Sequence, residues 1–430
     1  MPENVNSNQS AKADTFKGVN PVVANAIRRS DQMKRKKAPW LDQWQLVGEF
    51  VNMRKQEFQS SHTVGEFLTR DIFDPSASKA SKTAASTLIS LLWPQTTNRF
   101  KFHAPDELKG TTDEKTYYEK CTKIILRVMD DPKANFGIAT SEYMLDQVDF
   151  GTSGLEVVRD DRTKVRFTPW GVKHMSIEEG MYDEVDTVYL NVTMSVHKIV
   201  KTYGLEAVSE KTRTQFKKGE FDIEKEVLIA IEPRITEMQS SGKEGNLSKP
   251  FSSVHVEVEA KHLLKESGFD EMPIKVTRFT KLLGEVYGRS FAMDGLPDIL
   301  QSNAVWEATI MAMEKSLDPP LGVYSDSVLG GGEIDTSAGS LSVFNPSDQA
   351  KDRAPIFPLQ TIGEFKQVVA LITELKERIS DHFAIDRLLD FNNESRMTAT
   401  EATLRDRMRS ATLGQIFNRQ IASYFTPVIE

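Results

Sequence analysis

Residues 296–320 read LPDILQSNAVWEATIMAMEKSLDPP. Leu296, Ile299, Leu300, Trp306, Ile310, Met313 and Leu317 recur at three- and four-residue steps, which predicts one apolar face of a long helix. Asp318-Pro319-Pro320 ends it, because proline carries no amide donor and restricts the residue before it. Downstream, Ile362, Phe365, Val368, Val369, Ile372, Leu375 and Ile379 keep the same spacing and predict a second helix. Between the two lies a compact segment, Leu321 to Leu359. It has a short strand at Leu321 to Tyr324, the triplet Gly330-Gly331-Gly332, another strand near Ser340 to Phe344, and several prolines. Two helices bracketing a small α/β unit set the frame, and the fold class is α+β, mainly helical.

Working outward toward the N-terminus, Met1 to Gly18 is poor in large apolar side chains and predicts a mobile tail. From Arg28 to Lys37 six basic residues accompany one acid, Asp31; a solvated helix face is the simple reading, contact with nucleic acid or an acidic partner the sharper one. Pro39 stands where a helix could begin, and Trp40, Trp44, Val47, Val51 and Phe58 follow at roughly helical spacing. A second helix is expected from Ser76 to Leu92, with Ala77, Ala80, Ala84, Leu88 and Leu91 on one face and Pro94 preventing continuation. A third covers Glu114 to Met129 with Tyr117, Cys121, Ile124, Ile125 and Val128 as its buried side, which would make Cys121 a core thiol.

Past Gly151 the pattern turns to β: Leu155 to Val158, Lys164 to Phe167 and Thr187 to Thr193, then Glu226 to Glu232, Val254 to Glu259 and Pro273 to Phe279. Helical spacing interrupts it between Val196 and Phe216, and Met238 to Ser252 reads as a surface loop. After the second long helix, Asp386 to Met397 is polar and aperiodic. Thr398 and Glu401 then form a capping box that opens a helix carrying Leu413, Ile416, Phe417, Ile421, Tyr424 and Phe425. The ending Thr426-Pro427-Val428-Ile429-Glu430 shows no cap, and a continuing polypeptide is expected.

The 430 residues carry 54 basic and 62 acidic side chains, a net charge of −8 that argues against a surface built to grip nucleic acid tightly. The single cysteine excludes an internal disulfide, and no apolar stretch approaches the roughly 20 residues that span a bilayer. None of the seven histidines stands in the helical i, i+4 pairing of a protease-type zinc site, so no metal is expected. Gly284-Glu285-Val286-Tyr287-Gly288-Arg289-Ser290 is too short between its glycines for a phosphate loop and lacks its lysine. Gly151-Thr152-Ser153-Gly154 misses the G-x-S-x-G spacing of a nucleophile elbow. No cofactor and no catalytic residue is assigned, although carboxylates dispersed in sequence could still converge on a metal.

Five segments in order along the chain carry a resemblance: WQLVGEFVNMRKQEF (44–58), STLISLLWP (86–94), VYGRSFAMDGLPDILQSN (286–303), LDPPLGV (317–323) and MTATEATLRDR (397–407). Together they resemble the head-to-tail connector, or portal, proteins of short-tailed bacteriophages, the podovirus type. That resemblance implies a radially elongated, non-enzymatic subunit of a ring, usually of twelve, around a DNA channel, with wing, stem, clip and crown regions. Residues 1–18 would be the tail, 19–285 the wing, 286–317 the first stem helix, 318–359 the clip, 360–384 the second stem helix, 385–397 a tunnel loop, and 398–430 a wing helix leading to a crown that is absent or truncated.

The same resemblance implies a virion protein at the portal vertex, made in the host cytoplasm, that serves genome packaging and ejection. Its partners would be capsid protein, the packaging motor (terminase), tail adaptor proteins and double-stranded DNA passing without sequence specificity, with no membrane. Asp386, Arg387, Asp390, Asn392, Asn393, Glu394 and Arg396 are the channel candidates, Arg387 and Arg396 for transient phosphate contacts. Trp306, Ile310, Phe365, Val369 and Ile372 are expected to pack the stem, with Trp306 and Phe365 as anchors, and Gly330, Gly331, Gly332, Glu333 and Asp335 to face partners from the clip. A nucleic-acid-processing enzyme with dispersed catalytic acids, or another virion assembly protein, are the competing readings.

Overall fold

Asn20 accepts a hydrogen bond from the Val22 amide at 3.0 Å and Pro21 fills the first turn, so the first helix starts there. The structure is a computed structural model. It describes residues 18–53, 57–59, 65–66, 68–94, 99–103, 112–160, 162–181, 183–234, 245–324, 335–344, 356–359, 366–384 and 414–430. Among these, α1 (Pro21–Phe50), α2 (Ser76–Leu92), α3 (Thr112–Met129) and α4 (Phe136–Phe150) come first. Strands β1 (Thr152–Asp160), β2 (Lys164–Gly171), β3 (Met175–Glu179) and β4 (Val185–Ser195) follow, then α5 (Val196–Tyr203) and α6 (Glu210–Lys217). Next are β5 (Glu224–Pro233), β6 (Phe251–Glu257), β7 (His262–Phe269) and β8 (Ile274–Arg278). The last part holds α7 (Phe291–Asp294), α8 (Leu296–Leu317), β9 (Leu321–Tyr324), β10 (Leu341–Phe344), β11 (Ile356–Pro358) and α9 (Lys366–His382). Helical residues 414–420 then pass through a π-helical turn, Ile421–Phe425, into Thr426–Ile429.

The α+β, mainly helical class holds, with antiparallel sheets in the order β2-β1-β8 and β3-β4-β5-β6-β7. Pro39 does not begin a helix; it lies inside α1, which ends at Phe50, short of Phe58. The missing amide is outweighed by burial, because Val23, Ala26, Ile27 and Met33 of the earlier turns pack on Tyr189, Leu228, Ala230, Val254 and Val256 of the five-stranded sheet. The basic run is largely consumed within the chain. Arg29 pairs with Glu232 at 2.6 Å and Glu178 at 2.9 Å, Lys36 with Glu178 at 2.6 Å, and Lys34 with Glu226 at 3.0 Å. Lys37 is buried and donates to the carbonyls of Val172, Lys173 (2.9 Å) and Met175 (3.2 Å), which pins α1 to the turn before β3.

Helix α2 uses Ala77, Ala80, Ala84 and Leu88 to come close to α4, as its small residues predict. Helix α4 exposes Gly137, Ile138, Ser141 and Glu142 in its first turns and buries Asp146, Gln147 and Asp149 further on, so it lacks the apolar period that reveals a helix in sequence. Its Asp149 carboxylate accepts from Asn52 at 2.7 Å and from Ser81, which ties α1 and α2 to one buried charge. Helix α3 corrects the sequence reading: Tyr117 is 64% and Ile124 62% exposed, and Cys121 is only half-buried, so it is not a core thiol. Only one edge of α3 packs, through Ile125, Leu126 and Met129, into a core shared with Trp93, Phe136, Phe167, Tyr424 and Phe425. There the C-terminal helix docks, with Tyr143 and Tyr424 stacked at 4.1 Å and Trp93 and Phe425 at 5.4 Å.

Candidate assembly site: a helix pair tipped by a small sheet

Ser290 caps α7 by accepting from the Met293 amide at 3.1 Å, and donates to the Asp149 carbonyl at 2.7 Å, so the arm starts from a fixed point in the core. Helix α8 follows at once, with Pro297 and Asp298 in its first turn, and its 22 residues extend roughly 33 Å at 1.5 Å per residue. It runs antiparallel to α9. Near its start Asp298 meets His382 at 2.9 Å, and two turns on Trp306 lies under the Lys376 ammonium at 5.0 Å.

The root of this pair is buried and pinned. Leu296, Ile299, Ile379 and Phe383 join the main core with Trp44, Leu88 and Phe150. Asn303 accepts from the Phe73 amide at 2.8 Å and donates to the Asp71 carbonyl at 3.3 Å, while Ser302 donates to the buried Asp74 carboxylate. Burial raises the Asp294 carboxyl, and Arg289 and His382 oppose that rise.

The far half is different. Met311 (53%), Met313 (42%) and Leu317 (87%) on α8, and Val369 (56%) and Leu371 (38%) on α9, are exposed. The two helices thus show an apolar surface with no covering element among the described residues.

Beyond α8 the chain forms a three-stranded sheet with β9 central, parallel to β10 and antiparallel to β11. The Asp318 carbonyl accepts from the Gly339 amide at 2.9 Å, and Gly339 adopts a φ of +70° with no room for a side chain beside the Asp318 carboxylate. One face of the sheet carries Leu341 (61% exposed), Val343 (41%) and Ile356 (55%), while Gly322 and Ser342 on the other are buried.

The sequence-derived candidates fall as follows. Trp306 and Ile310 are half-buried, Ile372 is 6% exposed, and Val369 points away from its own subunit's interior. Trp306 keeps a buried indole N–H with no partner among the described residues. Asp335 sits in the turn before β10, where its carboxylate accepts from the Ser337 amide at 2.9 Å and is held below the usual carboxylate range by the Ser337 hydroxyl and amide. Phe365, Gly330, Gly331, Gly332 and Glu333 lie outside the described residues, as do the whole of Asp386 to Met397 and the capping box at Thr398. The pinning pair Ser302 and Asn303 was missed in sequence, although two amide- and hydroxyl-bearing residues amid an apolar helix face were a readable signal.

Among the described residues, no group of three His, Cys, Asp or Glu side chains is placed to hold a metal ion, and no helix is long and apolar enough to cross a membrane.

The described fold thus sets a long antiparallel helix pair on an α+β body and ends it in an open three-stranded sheet. Residues 23–430 match the family model of the bacteriophage head to tail connecting protein, and the chain belongs to that family. It is 25% identical over 305 residues to the portal protein of Salmonella phage epsilon15, a match covering 69% of this chain and 53% of that protein. It is 23% identical over 414 residues to the probable portal protein of Bordetella phage BPP-1, covering 94% of this chain and 72% of the relative. The chain therefore spans about half the length of the first relative and nearly three quarters of the second.

Proposed function

We propose that this chain is the subunit of a portal ring at one capsid vertex, a non-enzymatic conduit through which the genome is packaged and ejected. The observation that carries the reading is the arm: its root is locked into the core while its outer half and the sheet at its tip leave apolar side chains open. A closed ring requires such a surface on every copy, since each subunit meets two neighbours through different patches. Helices α8 and α9 then form the stem, and the β9–β11 sheet the clip.

In this reading twelve copies close the ring, with the capsid protein around the wing and the packaging motor and then tail adaptors at the clip, where Gly330, Gly331, Gly332, Glu333 and Asp335 face them. The segment 385–397 faces the bore, Arg387 and Arg396 touching phosphates briefly among Asp386, Asp390, Asn392, Asn393 and Glu394. Twelve chains at −8 each carry about −96 in all, so the ring as a whole is not a polycation that would attract DNA indiscriminately. Duplex DNA carries about one charge per 1.7 Å, so a strongly basic lining would hold it by counterion release.

Native mass measurement tests the assembly. Twelve chains of 48.4 kDa give about 580 kDa, and a protein that stays monomeric across salt and concentration, or that cleaves DNA or hydrolyses nucleotide on its own, contradicts the proposal.

A further inference from the structure

Because α8 and α9 run antiparallel, the first turn of one lies beside the last turn of the other, and each end carries the charge that suits it. Asp298 stands in the first turn of α8, where free amides favour an anion, and His382 in the last turn of α9, where free carbonyls favour a cation. His382 Nε2 lies 2.9 Å from the Asp298 carboxylate, whose side chain is only 21% exposed, so solvent screens the contact incompletely. Gly295, the residue before α8, makes this approach possible: a Cβ there would stand 3.1 Å from the His382 Cβ and 3.2 Å from its Cγ.

Few other charges surround His382. Asp294 of α7 faces it and is countered by Arg289 as well. On α9 itself, Arg378 lies 3.9 Å from Asp298, but its side chain is 53% exposed and closes on Glu374 at 2.6 Å, and Asp381 is exposed. Helix α2 also packs on α9 and carries Lys79 and Lys82, both exposed and neither paired with Asp298 or His382 among the described residues. His382 is therefore the close cation for Asp298 whenever its ring is protonated, and histidine is the side chain whose charge changes near neutral pH. A neutral ring keeps at most a hydrogen bond without charge assistance.

Just past this contact the backbone is strained. Ala384 has a φ of +52°, a left-handed conformation that any Cβ disfavours, and its amide donates to the Asp381 carbonyl at 2.9 Å. Between them Phe383 is fully buried in the main core, and its amide donates to the Ile379 carbonyl at 3.2 Å. Core burial keeps the turn closed while the strained residue favours opening. One charge contact can then change how often the turn opens without unfolding the arm.

We propose that Asp298 and His382 form a pH-dependent latch at the root of the arm: the imidazolium holds the end of α9 on the start of α8, and loss of its charge lets the last turn of α9 open more often. The latch is closed at the acid side of neutrality and loosens as pH rises. The turn it controls leads the chain towards residues 385–397, and its bearing on a bore rests on the ring reading given above.

Hydrogen exchange of the full chain, read by mass spectrometry at about pH 5.5 and about pH 8.5 and corrected for the chemical exchange rate, tests the latch. Protection of the amides of residues 380–384 is expected to fall about fivefold between the two conditions, the scale of a partly exposed ion pair set between two helix ends, while α4 does not follow. His382→Gln and Asp298→Asn should each abolish that dependence. Ala384→Gly, which relieves the strain, should raise protection at both pH values and keep the dependence. Equal protection at both pH values in the unsubstituted chain, a dependence that survives His382→Gln, or a change that α4 shares overturns the latch. These readings apply to a chain alone or in a ring, so the latch and the ring reading fail separately.

Discussion

Gly151 and Gly288 cross backbone against backbone: a Cβ on Gly288 would lie 2.3 Å from the Gly151 carbonyl oxygen, and a Cβ on Gly151 2.4 Å from that of Gly288. Around them the Phe279 amide donates to the Gly151 carbonyl at 2.7 Å, and the Gly288 amide to the Thr152 hydroxyl at 2.8 Å. The two glycine-containing segments that fit neither a phosphate loop nor a nucleophile elbow thus meet each other. Their chemistry is close packing, and they join the end of α4 to the segment that leads into α7 and α8.

Gly288→Ala should therefore cost about 3 kcal/mol or more, because backbone, not a flexible side chain, must give way. Urea denaturation measures it. Gly137→Ala, whose Cβ meets nothing within 4 Å, is the control and should be neutral or slightly stabilising. Equal effects at both positions would contradict the crossing.

Asn303→Leu keeps the helix-forming character of α8 but leaves the Phe73 amide without its side-chain acceptor. The buried Asp74 amide, 3.3 Å from the same oxygen, loses its acceptor too, and a loss of about 2 kcal/mol is expected. Chemical denaturation together with hydrogen exchange at Phe73 reads it, and unchanged protection there would show that the stem root is held by apolar packing alone.

Burial holds the His255 imidazole down at about 4, where its Nδ1 shares a hydrogen bond of 2.8 Å with the Tyr203 hydroxyl. Its folded value lies below the unfolded value of about 6.5, so the unfolded chain takes up the proton first as pH falls. Stability from this residue is present above about 6.5, is lost progressively down to about 4, and amounts to about 3 kcal/mol. His255→Gln should flatten the pH dependence of the unfolding free energy in that window; an unchanged slope would remove His255 from the account.

Val369→Asp and Leu317→Asp fall on side chains that are 56% and 87% exposed, so the monomer should unfold at nearly its normal denaturant concentration. Assembly should suffer, because a charge enters each stem contact between neighbours. Sedimentation separates the two effects, and full ring yield from both variants would mean that the outer stem does not touch its neighbour.

The sequence was most legible where one face is buried and the other wet. Helix α2 and strand β9 have the expected bounds because alanine spacing and a short apolar run between proline and turn residues leave few alternatives. Helix α4, which buries Asp146, Gln147 and Asp149 and exposes Ile138, offered no apolar period to read, and strands β3 and β7 are too short or too polar to stand out. Pro39 misled because a local rule lost to burial of the turns before it. In the arm, both helices and the first two strands of the three-stranded sheet were readable, whereas Asp298–His382 and Asp74–Ser302 join residues far apart in sequence, and spacing carries no trace of them.

The most direct measurement is negative-stain electron microscopy of the purified chain, with class averages viewed down the particle axis. The account predicts closed rings of one rotational symmetry, twelvefold in the proposed form, around a hole that admits a duplex roughly 20 Å across. Persistent monomers, or tubes and shells without such a bore, would contradict it.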